Sequence, residues 1–158
     1  MKTEIIKEIE KSKNLYNRLI LITGPFGSGK TTLIRNISND AGQAILNVNL
    51  ELSKYLLDLS KKQRMLKASN CLSEIINRNY NEGEVVFLDN IEILFDTELK
   101  QDPLRLLQAL SRHHCIVATW NGIIDGESLI YAKIGHQEYR KYDRKGLITF
   151  TMNQIKNE

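Results

Sequence analysis

Gly24-Pro-Phe-Gly-Ser-Gly-Lys-Thr31 follows the apolar run Arg18-Leu-Ile-Leu-Ile-Thr23 directly and opens a stretch of helical pattern. An apolar run that breaks into a glycine-rich turn is typical of a buried parallel strand that feeds a loop. The turn matches the pattern G-x-x-x-x-G-K-[ST]. In this pattern, glycines allow backbone N–H groups to surround phosphate oxygens, and the next helix directs its positive end at the same anion. The sequence therefore predicts a P-loop, and with it a nucleotide site.

The residue types of this loop each have a chemical task. Lys30 is expected to reach the β- and γ-phosphates, and the Thr31 hydroxyl is expected to ligate Mg²⁺. Because Asp89 is not followed by Gly and no Asn-Lys-x-Asp motif is present to read guanine, the predicted cofactors are ATP and Mg²⁺. The predicted cofactor-binding residues are Gly24, Pro25, Phe26, Gly27, Ser28, Gly29, Lys30, Thr31 and Thr32.

A second apolar run, Val85-Val-Phe-Leu-Asp89, ends in an acid. It predicts a strand that places Asp89 beside Thr31 as the second Mg²⁺ ligand, the alternative being an aspartate that caps a turn. Many ATPases place a water-activating Glu directly after this Asp, whereas here the next residue is Asn90. Glu92 is the first candidate for that role. Glu51, expected at the end of the second strand, is the alternative.

Candidates for sensing and completing the γ-phosphate site lie later in the chain. Asn121 lies at the end of the fourth predicted strand, directly after its last residue, where AAA+ ATPases place a polar sensor, although an ordinary turn is the alternative. Arg140 and Arg144 lie where AAA+ subunits carry an arginine finger for a neighbouring site, which would require a homo-oligomer. A solvated basic turn is the alternative for both, and Arg112 is a weaker candidate. The predicted catalytic set is Lys30, Glu92, Asn121 and Arg140.

Strand patterns alternate with helical patterns along the whole chain, which indicates a parallel sheet with helical crossovers. We predict one domain over residues 1–158, with an N-terminal helix within 1–17 and a core over 18–151. The expected fold is an α/β P-loop NTPase with a five-stranded parallel sheet flanked by helices, an AAA+-like or RecA-like core without a C-terminal lid. The predicted strands span residues 18–23, 44–50, 84–89, 115–120 and 147–151. The predicted helices span residues 3–16, 31–38, 53–79 (as two helices or one broken helix, with Ser53 as N-cap) and 102–110, and residues 121–145 are expected to form a helix and a loop.

Composition limits the other functional classes. The net charge of +3 in 158 residues is too small to indicate a dedicated nucleic-acid protein, so DNA is a possible partner without support from charge. The basic stretch 61–67 is interpreted as a solvated helix face, with contact to a phosphate backbone as the alternative. No apolar run approaches the roughly 18 residues that a membrane span needs. A soluble, cytoplasmic protein is therefore expected.

Several segments outside the P-loop resemble the BrxF family, the small P-loop proteins of type 3 BREX (bacteriophage exclusion) systems. The resemblance covers almost the whole chain, up to about residue 150. It implies a role in restricting phage together with other BREX proteins, including a methyltransferase. The segments that carry it are Arg18-Leu-Ile-Leu-Ile-Thr-Gly24, Asn47-Val-Asn-Leu-Glu-Leu-Ser53, Phe87-Leu-Asp-Asn-Ile-Glu-Ile-Leu-Phe95, Lys100-Gln-Asp-Pro-Leu-Arg105 and Ala118-Thr-Trp-Asn-Gly122.

The leading functional hypothesis is a Mg²⁺-dependent ATPase in antiphage defence. A non-hydrolysing switch, in which ATP orders a partner surface, is the first alternative because of Asn90. A small-molecule kinase is less favoured, since the second predicted strand offers Asn47 and Asn49 and no acid for a substrate hydroxyl. A DNA-binding module is the fourth reading.

Overall fold

Five parallel strands form the centre of the sheet in the computed structural model, which describes residues 1–132 and 135–152. Two further strands extend it in antiparallel fashion, and the parallel strands lie in the order β2-β3-β4-β1-β7. This arrangement confirms the predicted α/β fold with a five-stranded parallel sheet. The strands are β1 (Leu19–Gly24), β2 (Ile45–Asn47), β3 (Val86–Asp89), β4 (Ile116–Asp125), β5 (Ser128–Tyr131), β6 (Arg140–Asp143) and β7 (Ile148–Thr151).

Helices cover both faces of the sheet. Side chains alternate along β1, so that Ile20 and Ile22 pack on one side with the first two helices, while Leu19 and Leu21 pack on the other. Within the described residues, no helix is long and apolar enough to cross a membrane. The helices are α1 (Lys2–Ser12), α2 (Lys30–Asp40), α3 (Val48–Leu56), α4 (Lys61–Asn79) and α5 (Pro103–Leu110), and short 3-10 helices span Glu92–Phe95 and Thr97–Leu99.

The second strand is shorter than predicted. β2 ends at Asn47, whose side-chain oxygen accepts a hydrogen bond from the Leu50 amide and so caps α3. Val48 and Leu52, four residues apart, are both fully buried, because a helix brings such positions to one face. The predicted strand over 48–50 is therefore wrong, and so is Ser53 as a helix start, since Ser53 lies inside α3.

The long helical region is two helices rather than one broken helix. Ser60 begins α4 with a capping box, in which its hydroxyl accepts from the Gln63 amide and the Gln63 side chain accepts from the Ser60 amide. Arg64 then reaches back to the carboxyl end of α3 and donates to the carbonyls of Leu56 and Leu59 at 2.9 and 3.0 Å. The corner between the helices is fixed by these polar contacts.

The prediction of a helix and a loop over 121–145 is wrong. β4 continues to Asp125 and pairs with β5, which pairs with β6; we call residues 121–125 together with β5 and β6 the hairpin extension. Gly122 allows this pairing, since a Cβ there would lie 1.9 Å from the carbonyl oxygen of Ile130. The Trp120 indole N–H donates to the same carbonyl at 3.2 Å. The extension is thereby attached closely to the central strand.

Candidate nucleotide site

The P-loop connects the end of β1 to the start of α2. Gly29 is the N-cap of α2 with φ of 94°, and Gly27 has φ of 79°. Residues that carry a Cβ rarely adopt such positive φ values. At Gly24, a Cβ would lie 2.6 Å from the Ser28 hydroxyl and 3.0 Å from the Cβ of Met152. The three glycines therefore give the loop the backbone path that directs the α2 N-terminus towards the cleft.

Lys30 begins α2, and its side chain is only 5% exposed. Its ammonium group donates to the carbonyls of Gly24 and Pro25 at 2.9 and 2.7 Å. Burial lowers the pKa of Lys30, while the carboxylates of Asp89 and Glu92 raise it. Because these hydrogen-bond partners are neutral carbonyls, they do not neutralise the ammonium charge. The charge can therefore bind an anion such as a phosphate group.

Asp89, at the end of β3, is the polar centre of the site and is 8% exposed. One carboxylate oxygen accepts from the Thr31 hydroxyl at 2.9 Å, and the other accepts from the Thr119 hydroxyl at 2.6 Å and from the Asn90 amide at 3.0 Å. Carboxylate and hydroxyl oxygens are the hard ligands that Mg²⁺ prefers, with phosphate and water supplying the rest. The two residues predicted as metal ligands are thus in direct contact, and their chemistry fits Mg²⁺.

Glu92 lies one turn beyond Asp89, at the start of a 3-10 helix. One of its carboxylate oxygens accepts from the side-chain amide of Asn121, and the other accepts from that of Asn49 at 3.1 Å. Asn49 is itself fixed by two further hydrogen bonds. Its side-chain oxygen accepts from the backbone N–H of Ile93 at 2.7 Å, and its backbone N–H donates to the Asn90 carbonyl at 2.8 Å. Two amides from separate elements, α3 and β4, therefore hold the Glu92 carboxylate.

Asn49 is the residue of this arrangement that sequence analysis did not assign to the site. The sequence pattern places it in a predicted strand, where its side chain has no evident partner. The signal was the pair Asn47 and Asn49: the first caps α3, and the second turns towards Glu92 from the first turn of that helix. Correct placement of the helix start would have been needed to use it.

The P-loop, Asp89, Glu92 and Asn121 line one cleft of about 310 Å³. Gly24 and Pro25 contribute the carbonyls that hold Lys30, while Ser28 lies within the loop. Asn90 also lines the cleft, in the left-handed conformation (φ of 52°). The residues proposed from sequence that line the cleft are Phe26, Gly27, Gly29, Lys30, Thr31, Thr32, Asp89, Glu92 and Asn121.

Other candidates lie elsewhere in the chain. Glu51 is inside α3, not at the end of a strand as expected, and pairs with Lys54 at 3.4 Å. Arg140, on β6, donates to the Gln101 carbonyl at 3.0 Å, and Arg144 donates to a carbonyl in the turn after β4. The Arg112 guanidinium lies 4.7 Å from the centre of the Tyr16 ring. A role for Arg140 or Arg144 at a neighbouring subunit stays a prediction.

Residues 16–113 match the AAA domain family. The chain belongs to this family. The matched segment contains the P-loop, Asp89 and Glu92, and it ends before Asn121 and Arg140. Membership of the AAA domain family agrees with the P-loop cleft and identifies the chain as a nucleotide-binding domain of the ATPase type.

Two individual likenesses accompany the family match. RuvB-like protein 1 of Encephalitozoon cuniculi is 32% identical over 88 residues, which are 53% of this chain and 21% of that protein. The solved structure of C. elegans PCH-2 is 21% identical, with a TM-score of 0.40 over 79% of this chain and 37% of that chain. This AAA domain therefore spans about a fifth of the length of its curated relative.

Proposed function

We propose that this AAA domain is a Mg²⁺-dependent ATPase that acts in antiphage defence alongside other BREX proteins. One observation carries the enzymatic part of the proposal. The P-loop lysine, the Thr31–Asp89 pair and the amide-held carboxylate of Glu92 all face one cleft. These are a phosphate cradle, a site for the metal and a base for water, which are the parts that phosphoryl transfer to water requires.

The residues divide this work by position. Thr31 and Asp89 would hold Mg²⁺, which neutralises developing charge on the phosphates when it is bound. Lys30 and the N–H groups of the loop would bind phosphate oxygens, and Asn121 would respond to the γ-phosphate. Glu92 would orient a water molecule and accept its proton, since a carboxylate accepts up to about four hydrogen bonds and the two amides use one on each oxygen.

The defence role is supported by the resemblance of five separate segments to the BrxF family. Three of these segments contain residues of the candidate site. They hold Asn49, Asp89 with Glu92, and Asn121, respectively. In a strain that carries the complete defence system, replacing Lys30 by Ala or Glu92 by Gln is expected to restore phage plating. Unchanged restriction with either variant would contradict the proposed role.

Nucleotide binding is tested by thermal unfolding with and without Mg²⁺-ATP. At 100 times Kd, a ligand that binds only the folded state stabilises it by about 2.7 kcal/mol. We expect this shift in the wild type and in Glu92→Gln, and its loss in Lys30→Ala. The absence of a shift with any nucleotide would contradict the proposed site.

Hydrolysis is tested separately by steady-state phosphate release. Glu92→Gln is expected to abolish turnover while ATP binding stays intact, because the amide cannot accept a proton. Glu51→Gln is the matched control, since Glu51 pairs with Lys54 within α3, and it should turn over like the wild type. Loss of turnover in Glu51→Gln with normal turnover in Glu92→Gln would move the role to Glu51.

A non-hydrolysing switch is the second candidate, and two observations favour it. Asn90 stands where many ATPases carry the catalytic acid, and both oxygens of Glu92 are already engaged by amides. In that case, wild-type phosphate release would equal that of Lys30→Ala, although Mg²⁺-ATP would still stabilise the wild type.

A further inference from the structure

Two contacts join the hairpin extension to the 3-10 helix that carries Glu92. At the start of this helix, Glu92 accepts from Asn121, the β4 residue next to Gly122. At its end, Phe95 lies face to face with Tyr131 of β5, with ring centres 3.4 Å apart and planes inclined by 8°. The 3-10 helix is thus attached to the extension at both ends.

The two attachment points lie side by side in the extension itself. Tyr131 is the register partner of Gly122, which follows Asn121 directly. Phe95 is 1% exposed and Tyr131 is 7% exposed, and Trp120 packs edge-on against both rings at 5.1 and 5.9 Å. Buried aromatic rings in such contact have few alternative packings, so the position of one ring limits that of the other.

We propose that Tyr131 is a positioning residue for Glu92: by stacking on Phe95, it fixes the 3-10 helix so that the Glu92 carboxylate meets the amides of Asn49 and Asn121. The consequence for turnover rests on the proposed function. The geometric part is independent of it. Burial raises the pKa of Tyr131, and the Glu92 carboxylate raises it further, which agrees with a neutral phenol close to this acid.

The ring rather than the hydroxyl is responsible for the positioning. Tyr131→Phe keeps the stack and should behave as the wild type, whereas Tyr131→Leu removes it. Tyr142→Leu is the matched control, because Tyr142 lies on the same extension and packs on Trp120, with ring centres 5.9 Å apart. It makes the same change of side chain without removing the Phe95–Tyr131 stack.

Two measurements on the nucleotide-free and ATP-bound protein decide the question. In nucleotide-free protein, the side-chain amide resonances of Asn49 and Asn121 report the hydrogen bonds to Glu92, and they should shift in Tyr131→Leu alone. With Mg²⁺-ATP, kcat should fall roughly 10- to 100-fold in Tyr131→Leu with KM little changed, since a misplaced catalytic group affects the chemical step.

The outcomes separate this inference from the proposed function. Unchanged amide resonances in Tyr131→Leu, or equal changes in Tyr142→Leu, would overturn the positioning role. A wild type without turnover would overturn the proposed hydrolysis, while the resonances would still decide the positioning role. If Tyr131→Leu does not fold, Phe95→Leu removes the same stack from the other side and is judged by the same resonances.

Discussion

At the scale of single residues, Asp89 shows how the end of a strand can present a carboxylate suited to a metal. Its carboxylate is buried and accepts hydroxyl hydrogen bonds from two elements, from Thr31 on α2 and from Thr119 on β4. Such partners fix the orientation of a carboxylate that could ligate a metal. Thr119 therefore belongs to the candidate site, and it would act on a bound metal only through Asp89.

Thr119→Val tests this indirect role. The change keeps the side-chain shape and removes one hydrogen bond to Asp89, and partners of this kind typically contribute 10- to 100-fold to metal affinity. We expect the Mg²⁺ concentration needed for stabilisation by ATP to rise by about that factor, as measured by Mg²⁺ titration of thermal unfolding.

Thr23→Val is the control for this experiment. Thr23 is equally buried on the neighbouring strand β1, but its hydroxyl lies 3.0 Å from that of Thr151. It should leave the Mg²⁺ dependence unchanged. An equal shift in both variants would show that packing, and not the hydrogen bond to Asp89, sets the affinity.

At the scale of elements, one long side chain, that of Arg64, adds to the capping box at the corner between α3 and α4. The last carbonyls of a helix lack partners within it. Arg64 donates to the carbonyls of Leu56, the last residue of α3, and of Leu57 and Leu59, which follow it, at 2.9 to 3.2 Å. The basic stretch 61–67 is therefore partly structural, and Lys61 pairs with Glu98 at 3.5 Å. Contact of this stretch with a phosphate backbone stays a prediction. It is less favoured because the Arg64 guanidinium already donates to carbonyls of the protein.

Arg64→Met is expected to destabilise the fold. It keeps much of the aliphatic stem and removes the donors to three carbonyls, which should lower the free energy of unfolding by about 1 to 3 kcal/mol. Urea denaturation measures the change. Lys67→Met, at an exposed position of the same helix, should stay within about 0.5 kcal/mol of the wild type, and similar losses in both variants would contradict the capping role.

At the scale of the whole molecule, a buried histidine lies just before β4, at the end of the sheet where the parallel strands begin. His114 is 7% exposed, and within the described part of the chain its Nδ1 has no hydrogen-bond partner, while Nε2 lies 3.3 Å from the Asn77 side-chain oxygen. Burial is the largest of the effects that lower the pKa of His114, and the charges of His113 and Arg18 lower this pKa further. The backbone of Glu84 has the opposite effect and raises it. The folded protein therefore favours neutral His114.

Stability should depend on pH for this reason. Below pH 6.5, the ordinary pKa of histidine, the unfolded chain takes up a proton that the folded chain resists. The free energy of unfolding must therefore fall as the pH decreases. Denaturation between pH 7.5 and 5 should show this slope, and it should be smaller in His114→Gln. His113→Gln, at an exposed position, should keep the wild-type slope, and equal slopes in all three proteins would contradict the assignment.

Local patterns were sufficient wherever a feature depends on neighbours in sequence. The P-loop, the acid at the end of β3 and the start of α5 near Pro103 could be predicted, because glycine and proline act within a few positions. The boundary at Asn47 was missed since a short apolar run suits both a strand and a helix. Here the Asn47 cap and the buried face formed by Val48 and Leu52 decide in favour of the helix.

Sequence alone determined the phosphate cradle and the class of fold. The tertiary structure decided the surroundings of Glu92. Its amide partners Asn49 and Asn121 lie 43 and 29 residues away, and the stack of Phe95 on Tyr131 depends on a strand pairing that was not predicted. Such contacts follow from strand order and register, which are fixed when the two faces of the sheet are buried, and no local pattern contains that information.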